Sequence, residues 1–128
     1  HVGEFDRMFG EHHDDEARLR TAIEMSRQYN IIIVLKGHYT AVVSPTGRVN
    51  FNMTGNAGMA TAGAGDVLTG IITSFLSQGY EPIYAAMLGV YVHGRAGDMA
   101  EAELGQYGMT ASDIIGKVGP AIREILES

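Results

Sequence analysis

The hydrophobic and polar positions in the first part of the chain predict a helix followed by strands. Residues 14–29 open with acidic side chains, which suit the positive end of a helix, and Leu19, Ile23 and Met25 give the segment a modest apolar face. Asn30 is expected to end this helix. A shorter helix is predicted over residues 5–9.

Three strands are predicted next. Residues 31–35 read Ile-Ile-Ile-Val-Leu, a continuous apolar run that is typical of a strand covered on both faces in a parallel sheet. We therefore expect this strand to be central. Residues 40–44 and 48–52 flank the turn Pro45-Thr46-Gly47 and are predicted to pair as an antiparallel hairpin.

The pattern changes after the hairpin. Residues 53–65 are mostly Gly, Ala, Thr and Asn, which predicts a loop with little side-chain bulk. Apolar residues at helical spacing then predict helices over residues 66–78 and 83–104. The second of these is apolar on nearly all sides and is interrupted by glycines, so we expect it to be buried with close neighbours.

One more helix is predicted at the end of the chain. It spans residues 111–126, with Thr110 or Ser112 as its cap. Because proline removes a backbone donor and clashes with the preceding turn, we expect a break near Gly119-Pro120.

Composition narrows the kind of protein. The 128 residues are 45% hydrophobic, which suffices for a domain with its own core. The lack of cysteine excludes a disulfide framework and, with no recognisable secretory leader, favours a cytoplasmic protein. The net charge of −6 argues against nonspecific binding to nucleic acid or anionic membranes, and no apolar run reaches the roughly 20 residues of a membrane helix. We expect a soluble protein that binds small molecules.

The strongest candidate site is Gly63-Ala64-Gly65-Asp66, at the start of a predicted helix. Small residues let the backbone approach a ligand, and the first N–H groups of a helix have no partner within it, so this segment suits an anion such as phosphate. No Gly-Lys-Ser/Thr follows it, which excludes a P-loop, and its glycine spacing does not fit the dinucleotide-binding fingerprint.

Asp66 has two possible roles, and its position alone leaves both open. Aspartate is a common residue at a helix start, where the dipole favours its charge. It could instead take the proton of a hydroxyl group during phosphoryl transfer. Capping does not explain the dozen small residues that precede Asp66, whereas a phosphate-transfer site uses both features. The loop therefore favours Asp66 as the reacting base.

Several other polar residues are assigned structural roles. Adjacent histidines such as His12 and His13 point in different directions and supply no tetrahedral set, so no metal ligands are identified in this chain. His93 is expected to be a satisfied core or interface histidine. Arg95 and Asp98 are predicted to pair across one turn of their helix.

The residues after the first strand are ambiguous without a motif. Lys36 could bind phosphate or could be an edge lysine with a buried stem and a hydrated head. Gly37 would let the end of the strand approach a ligand closely.

The loop and its helix resemble a known family signature. The segment reads Thr54-Gly55-Asn56-Ala57-Gly58-Met59-Ala60-Thr61-Ala62-Gly63-Ala64-Gly65-Asp66-Val67-Leu68-Thr69-Gly70 and resembles that of the ADP- or ATP-dependent NAD(P)H-hydrate dehydratases, which are ribokinase-like. Three further segments are similar to family segments in the family's order, so the likeness spans essentially the whole chain. They are His1-Val2-Gly3-Glu4-Phe5, Lys36-Gly37-His38-Tyr39-Thr40 and His93-Gly94-Arg95-Ala96-Gly97-Asp98.

The resemblance implies a fold and an incomplete domain. The expected fold is an α/β three-layer αβα sandwich with a mainly parallel sheet and a β-hairpin. Residues 1–128 would be the C-terminal portion of one such domain, with its N-terminal half missing. The start at His1, rather than at Met, agrees with a cut chain, and the surface exposed by the missing half favours a homo-oligomer.

The resemblance also implies a reaction. ADP or ATP, with Mg²⁺, would phosphorylate the hydroxyl of hydrated NADH or NADPH, and loss of phosphate would restore the cofactor, so that the enzyme is a hydro-lyase of metabolite repair. His1 and Asp66 would face the hydrated ring, and the N–H groups of Ala64 and Gly65 would stabilise the transferred phosphoryl group. The nucleotide would be lined by two segments: Lys36, Gly37, His38, Tyr39 and Thr40, and then Asn56, Ala57, Gly58, Met59, Ala60, Thr61, Ala62, Gly63, Ala64 and Gly65.

The sequence departs from the family pattern at several positions, and two other functions stay open beside the dehydratase. Ala62-Gly63-Ala64 lacks a hydroxyl and a second glycine, and Val2 replaces a proline after His1. A kinase of the same superfamily, acting on a sugar, pyridoxal or hydroxymethylpyrimidine, would use Asp66 in the same way. The chain could also be a non-catalytic nucleotide-binding or assembly fragment, because part of the substrate pocket belongs to the missing half.

Overall fold

The structure is a computed structural model that describes residues 7–10, 14–37 and 39–128. The chain divides into two compact units, with the boundary between Asn52 and Met53. Within the ranges described, no helix combines the length and the apolar character needed to cross a bilayer.

The first unit consists of a helix and a three-stranded sheet. Its elements are α1 (Asp15–Tyr29), β1 (Ile33–Leu35), β2 (Thr40–Val43) and β3 (Val49–Asn52). The Asp14 carboxylate accepts the Ala17 N–H at 2.8 Å and so caps α1. Asn30 ends the helix, as predicted, with a left-handed backbone at φ 55°. Residues 7–9 are also helical, and the first part of the helix predicted over residues 5–9 lies outside the described residues.

The sheet has the strand order β1-β2-β3, and both of its strand pairs are antiparallel. The predicted hairpin is confirmed, because Val43 pairs with Val49 and Thr40 with Asn52. The core of the unit packs one side of the sheet on α1. Its buried members are Ala22, Leu35, Ala41 and Val43.

The first strand is shorter than its sequence predicts. Ile31 is 43% exposed, and its N–H donates to the Ser26 carbonyl at 3.1 Å, so it belongs to the end of α1 rather than to β1. The Ser26 hydroxyl in turn donates to the Ile31 carbonyl at 2.5 Å. Within the described residues β1 pairs only with β2, and antiparallel, so no parallel pair of strands occurs there.

The second unit is helical. A single turn of 3-10 helix (Ala57–Met59) precedes α2 (Ala64–Ser77), α3 (Pro82–Leu104) and α4 (Ala111–Glu127). The helix α3 is buried along much of its length, as predicted, and its buried residues include Val92, Ala96 and Ala100. These helices share one apolar core, to which α2 contributes Ile71 and Phe75.

Two predicted boundaries in this unit are wrong. The helix α2 begins at Ala64, two residues before the predicted start at Asp66. The helix α4 is continuous through Pro120, where a break was predicted. Ile114 and Ala121, on either side of the predicted break, are fully buried, and their packing holds α4 together although Pro120 supplies no N–H. Thr110 is the cap of α4, in a reciprocal arrangement with Asp113.

Candidate functional site

The small residues before α2 form a loop, residues 53–63, which we call the glycine loop. Asp98 on α3 holds its first part. One carboxylate oxygen accepts the Gly55 N–H at 3.0 Å, and the other accepts the side-chain amide of Asn56 at 2.9 Å. The Asn56 side-chain oxygen accepts the Gly58 N–H at 3.0 Å and thereby caps the 3-10 turn. Both functional groups of the Asn56 side chain are therefore committed within the protein.

The loop also packs closely on α3. A Cβ on Gly94 would lie 2.7 Å from the backbone carbon of Thr54, so only glycine fits at this point of the helix. The Thr54 hydroxyl donates to the Tyr91 carbonyl at 3.3 Å. Met59 occupies the space beside Gly97 in the same way. The prediction that the glycines of this helix allow close approach is confirmed.

The end of the glycine loop leads into α2 through a left-handed residue. Gly63 has φ 87°, a conformation that side chains disfavour, and it stands at the cap position without a side-chain hydrogen bond. His93 of α3 contacts this junction, with its Nε2 atom 3.0 Å from the Ala64 carbonyl oxygen. His93 is buried, in agreement with the core role expected for it.

The first N–H groups of α2 differ in availability. The Ala64 N–H donates to the Thr61 carbonyl at 3.2 Å, and Ala64 is buried. Within the described part of the chain, no acceptor is bonded to the N–H of Gly65 or of Asp66, as expected in a first helical turn. The Asp66 side chain is exposed. The helix start thus combines two backbone donors that have no partner among the described residues with one exposed carboxylate.

The small residues of the loop fall into two groups. Gly55, Asn56 and Gly58 are held against α3 or against the segment that follows it, so packing explains their size. Ala60, Ala62 and Gly63 are exposed, and Ala57 is also exposed beside them. The left-handed backbone of Gly63 explains that glycine, but packing does not explain the small size of the exposed Ala57, Ala60 and Ala62, which lie shortly before Gly65 and Asp66.

The other predicted nucleotide-binding segment lies in the first unit. Lys36, Gly37 and Tyr39 line a cavity of about 230 Å³. Its wall also includes Asp15 and Glu16, and its apolar lining residues are Leu19, Leu35, Ala41 and Phe51. Thr40 begins β2, where it pairs with Asn52. His1 and His38 lie outside the described residues.

Arg95 does not pair with Asp98, contrary to prediction. Its guanidinium donates to both carboxylate oxygens of Glu124 on α4, at 2.8 and 3.0 Å. This hydrogen-bonded pair raises the pKa of Arg95 above its ordinary value and lowers the pKa of Glu124 below its ordinary value. Asp98 instead faces the glycine loop, where its carboxylate accepts two hydrogen bonds.

The role of Asp98 was missed because it depends on which element packs beside α3. One signal is present in the sequence: Asp98 lies four residues after Gly94 and one after Gly97, on a helix otherwise rich in Ala and Gly. Where another backbone segment packs closely on a helix, a carboxylate one helical turn away can reach the N–H groups of that segment. Among the described residues, no three His, Cys, Asp or Glu side chains cluster in a way that could hold a metal ion.

The fold and the site together define an α/β protein in which an exposed carboxylate, Asp66, lies at a helix start with two backbone donors that have no partner among the described residues. The chain belongs to the NAD(P)H-hydrate dehydratase family, whose sequence model matches residues 1–119. The bifunctional NAD(P)H-hydrate repair enzyme Nnr of Moorella thermoacetica is 43% identical over 129 residues, which cover 99% of this chain and 24% of that protein. The ADP-dependent (S)-NAD(P)H-hydrate dehydratase of Neisseria meningitidis serogroup B is 44% identical over 95 residues, covering 74% of this chain and 31% of that protein.

A solved structure shares the fold. The ADP/ATP-dependent NAD(P)H-hydrate dehydratase of Bacillus subtilis, co-crystallised with ATP and Mg²⁺, matches with a TM-score of 0.90 and 32% identity. The match covers 97% of this chain and 46% of that one. The chain therefore spans about half of its structural relative and from 24% to 31% of the two curated relatives.

Proposed function

We propose that the full-length protein is a nucleotide-dependent NAD(P)H-hydrate dehydratase, a lyase of metabolite repair. The observation that carries this proposal is the start of α2, where the exposed Asp66 follows a loop of small residues and two backbone donors lack partners in the described chain. The family membership and the ADP/ATP-dependent relatives support the same conclusion.

The proposed reaction has two steps. Asp66 takes the proton of the hydroxyl group on the hydrated ring while that oxygen attacks the terminal phosphoryl group of ADP or ATP. That transfer releases AMP or ADP. The phosphorylated ring then loses phosphate from one carbon and a proton from the neighbouring carbon, so that the C=C bond of NADH or NADPH forms again. The oxygen of the hydrate departs in the phosphate, so the net result is dehydration driven by hydrolysis of the nucleotide.

The available backbone donors refine this assignment. The sequence resemblance assigns phosphoryl stabilisation to the N–H groups of Ala64 and Gly65, but the Ala64 N–H is donated to Thr61. We assign this task to the N–H groups of Gly65 and Asp66, with the dipole of α2 favouring an anion at the same place. Ala60, Ala62 and Gly63 would leave room for the phosphates, and the predicted nucleotide contacts of Asn56 would be made by its backbone.

Mg²⁺ suits this site as a partner of the nucleotide. Magnesium in nucleotide sites keeps several waters and is held largely by the substrate phosphates, so it needs no protein cage, and Asp66 stays available as the base. When bound, the ion would neutralise charge on the phosphates.

Several features of the complete protein belong to the same proposal. The Lys36, Gly37 and Tyr39 cavity would contribute to nucleotide binding, with His38 and Thr40 beside it, and His1 would face the substrate. The complete domain would be a three-layer sandwich with a mainly parallel sheet, as the high TM-score to the Bacillus subtilis enzyme supports. A cytoplasmic location and self-association stay predictions from the sequence.

The test uses the full-length protein with hydrated NADH and either ADP or ATP. Recovery of the absorbance of the reduced nicotinamide is expected with at least one nucleotide. Asp66→Asn should abolish recovery and spare nucleotide binding, because the amide keeps the shape of the side chain but cannot accept the proton. Glu127→Gln, at the far end of α4, is the matched control and should be fully active.

Two results would contradict the proposal. Phosphoryl transfer to a sugar or a vitamin, with no recovery of reduced nicotinamide from either nucleotide, would identify a kinase of the same superfamily. An active Asp66→Asn protein would show that Asp66 is a helix-start residue without a role in the chemistry.

A further inference from the structure

We propose that Asp98 is a positioning residue, which sets the nucleotide affinity of the protein by fixing the glycine loop from within α3. This inference rests on the proposed function, because it takes the loop as part of the nucleotide site. It assigns Asp98 no contact with nucleotide, substrate or reacting atoms.

The first argument is the number of loop groups that depend on one carboxylate. Asp98 accepts the Gly55 N–H directly and orients the Asn56 amide, whose oxygen then accepts the Gly58 N–H. Three consecutive hydrogen bonds thereby fix the backbone that leads to the exposed Ala60, Ala62 and Gly63. Two of these three hydrogen bonds end on the Asp98 carboxylate, and the third is made by the amide that this carboxylate orients, so Asp98 is the dominant restraint in this chain of contacts.

The second argument is that α3 is itself a rigid support. It is buried at Val92, Ala96 and Ala100, which pack in the apolar core shared by the helices of the second unit. The same helix touches the other end of the loop through His93 and the Ala64 carbonyl. A binding loop that is held at both ends by one helix loses little conformational entropy when its ligand binds, which favours affinity.

The pairing of Asp98 with Asn56 allows an exchange experiment. In Asp98→Asn the new amide group keeps one oxygen for the Gly55 N–H but brings its NH₂ group against the NH₂ group of Asn56. In Asn56→Asp the two carboxylates face each other. The double variant Asp98→Asn/Asn56→Asp restores every match of donor and acceptor. The amide introduced on α3 would donate to the carboxylate introduced in the loop, and that carboxylate would still accept the Gly58 N–H. The net charge of the chain is unchanged in the double variant.

The measurements are nucleotide dissociation constants and steady-state kinetics of the full-length protein. Each single variant should weaken nucleotide binding about tenfold or more, the size expected when a charged hydrogen bond is replaced by a mismatch. The KM for nucleotide should rise with it, while kcat at saturating nucleotide stays within about threefold, since the bound loop regains its conformation. The double variant should recover most of the lost affinity.

Glu124→Gln is the matched control. It is also a carboxylate-to-amide change that breaks a charged contact of α3, but it does not touch the glycine loop. It should lower the melting temperature without changing the nucleotide dissociation constant. If Asp98 has a purely structural role, Asp98→Asn should also lower the melting temperature and leave the nucleotide dissociation constant unchanged. That outcome would overturn the proposal.

The remaining outcomes separate this inference from the function it rests on. A wild-type protein that binds nucleotide but does not dehydrate NADH hydrate would refute the dehydratase and leave the affinity test of Asp98 valid. A wild-type protein that binds neither ADP nor ATP would overturn both. Failure of the double variant to recover affinity, with its melting temperature restored, would show that Asp98 does not act through Asn56.

Discussion

At the scale of single residues, Gly63 decides how the chain enters α2. Its left-handed backbone turns the end of the glycine loop into the first helical turn, after which Gly65 and Asp66 present their N–H groups. A Cβ at this position would also lie 3.2 Å from the Cβ of Ala111, at the start of α4. Conformation and space therefore both favour glycine.

Substitution of Gly63 by alanine tests this argument, and Gly116, a helical glycine with open space around it, is the comparison. Gly63→Ala should lower the free energy of unfolding by about 1–2 kcal/mol, the cost of a left-handed residue with a side chain. Gly116→Ala, at an exposed position within α4 that has open space around it, should raise it by about 0.5–1 kcal/mol. Denaturant titration of both variants measures the two effects. Equal signs for the two substitutions would contradict the role of Gly63.

The residues of the candidate site were predictable to different degrees. The small residues before Asp66 are a local signal, and the sequence was enough to select Asp66 and the loop. The sequence did not predict that the Ala64 N–H donates to the Thr61 carbonyl. This bond belongs to a turn before the helix, which begins at Ala64 rather than at the predicted Asp66. The contacts of Asp98 with Gly55 and Asn56 join positions about forty apart in the chain. The spacing of Asp98 from Gly94 indicates that another segment packs closely there, but the sequence does not say which segment.

At the scale of elements, local patterns predicted α1, the β2–β3 hairpin and the buried α3. Contacts with neighbouring elements decided where other elements begin and end. Ile31 is apolar and reads as strand, but its N–H completes the end of α1. Pro120 reads as a break, but buried residues on both sides keep α4 continuous. In both cases tertiary contacts outweigh the local preference of one residue.

The continuity of α4 through Pro120 makes a prediction about stability. Pro120 lacks the N–H that would bond to the Gly116 carbonyl and crowds that carbonyl, so the helix forms at a cost. Pro120→Ala should therefore raise the free energy of unfolding, by up to about 3 kcal/mol. Gly119→Ala, at the adjacent exposed position, is the control and should gain no more than about 1 kcal/mol. If thermal unfolding shows that Pro120→Ala gains no more than Gly119→Ala, the proline is not strained in this helix.

At the scale of the whole molecule, the chain forms two compact units, and its match to the Bacillus subtilis structure covers 46% of that protein. The prediction of a single domain portion over residues 1–128 rests on the sequence resemblance, which cannot show where compact units divide. The first unit carries the sheet and the second carries the glycine loop with its helices. The chain has 15 acidic and 9 basic residues, so its net charge, and with it its stability, changes as the pH falls.

The Arg95–Glu124 pair predicts part of that response. Since the pair lowers the pKa of Glu124 in the folded protein, its contribution to stability is present above the ordinary pKa of a glutamate and is lost as the pH falls through the lowered value. Glu124→Gln should therefore melt at a lower temperature than the wild type at neutral pH, by a small amount because the pair is partly exposed. The difference should shrink as the solution becomes acidic and vanish once Glu124 is protonated in the folded wild type. Melting curves over a pH series measure this, and a difference that is independent of pH would mean that the glutamate stabilises the second unit by packing rather than by charge.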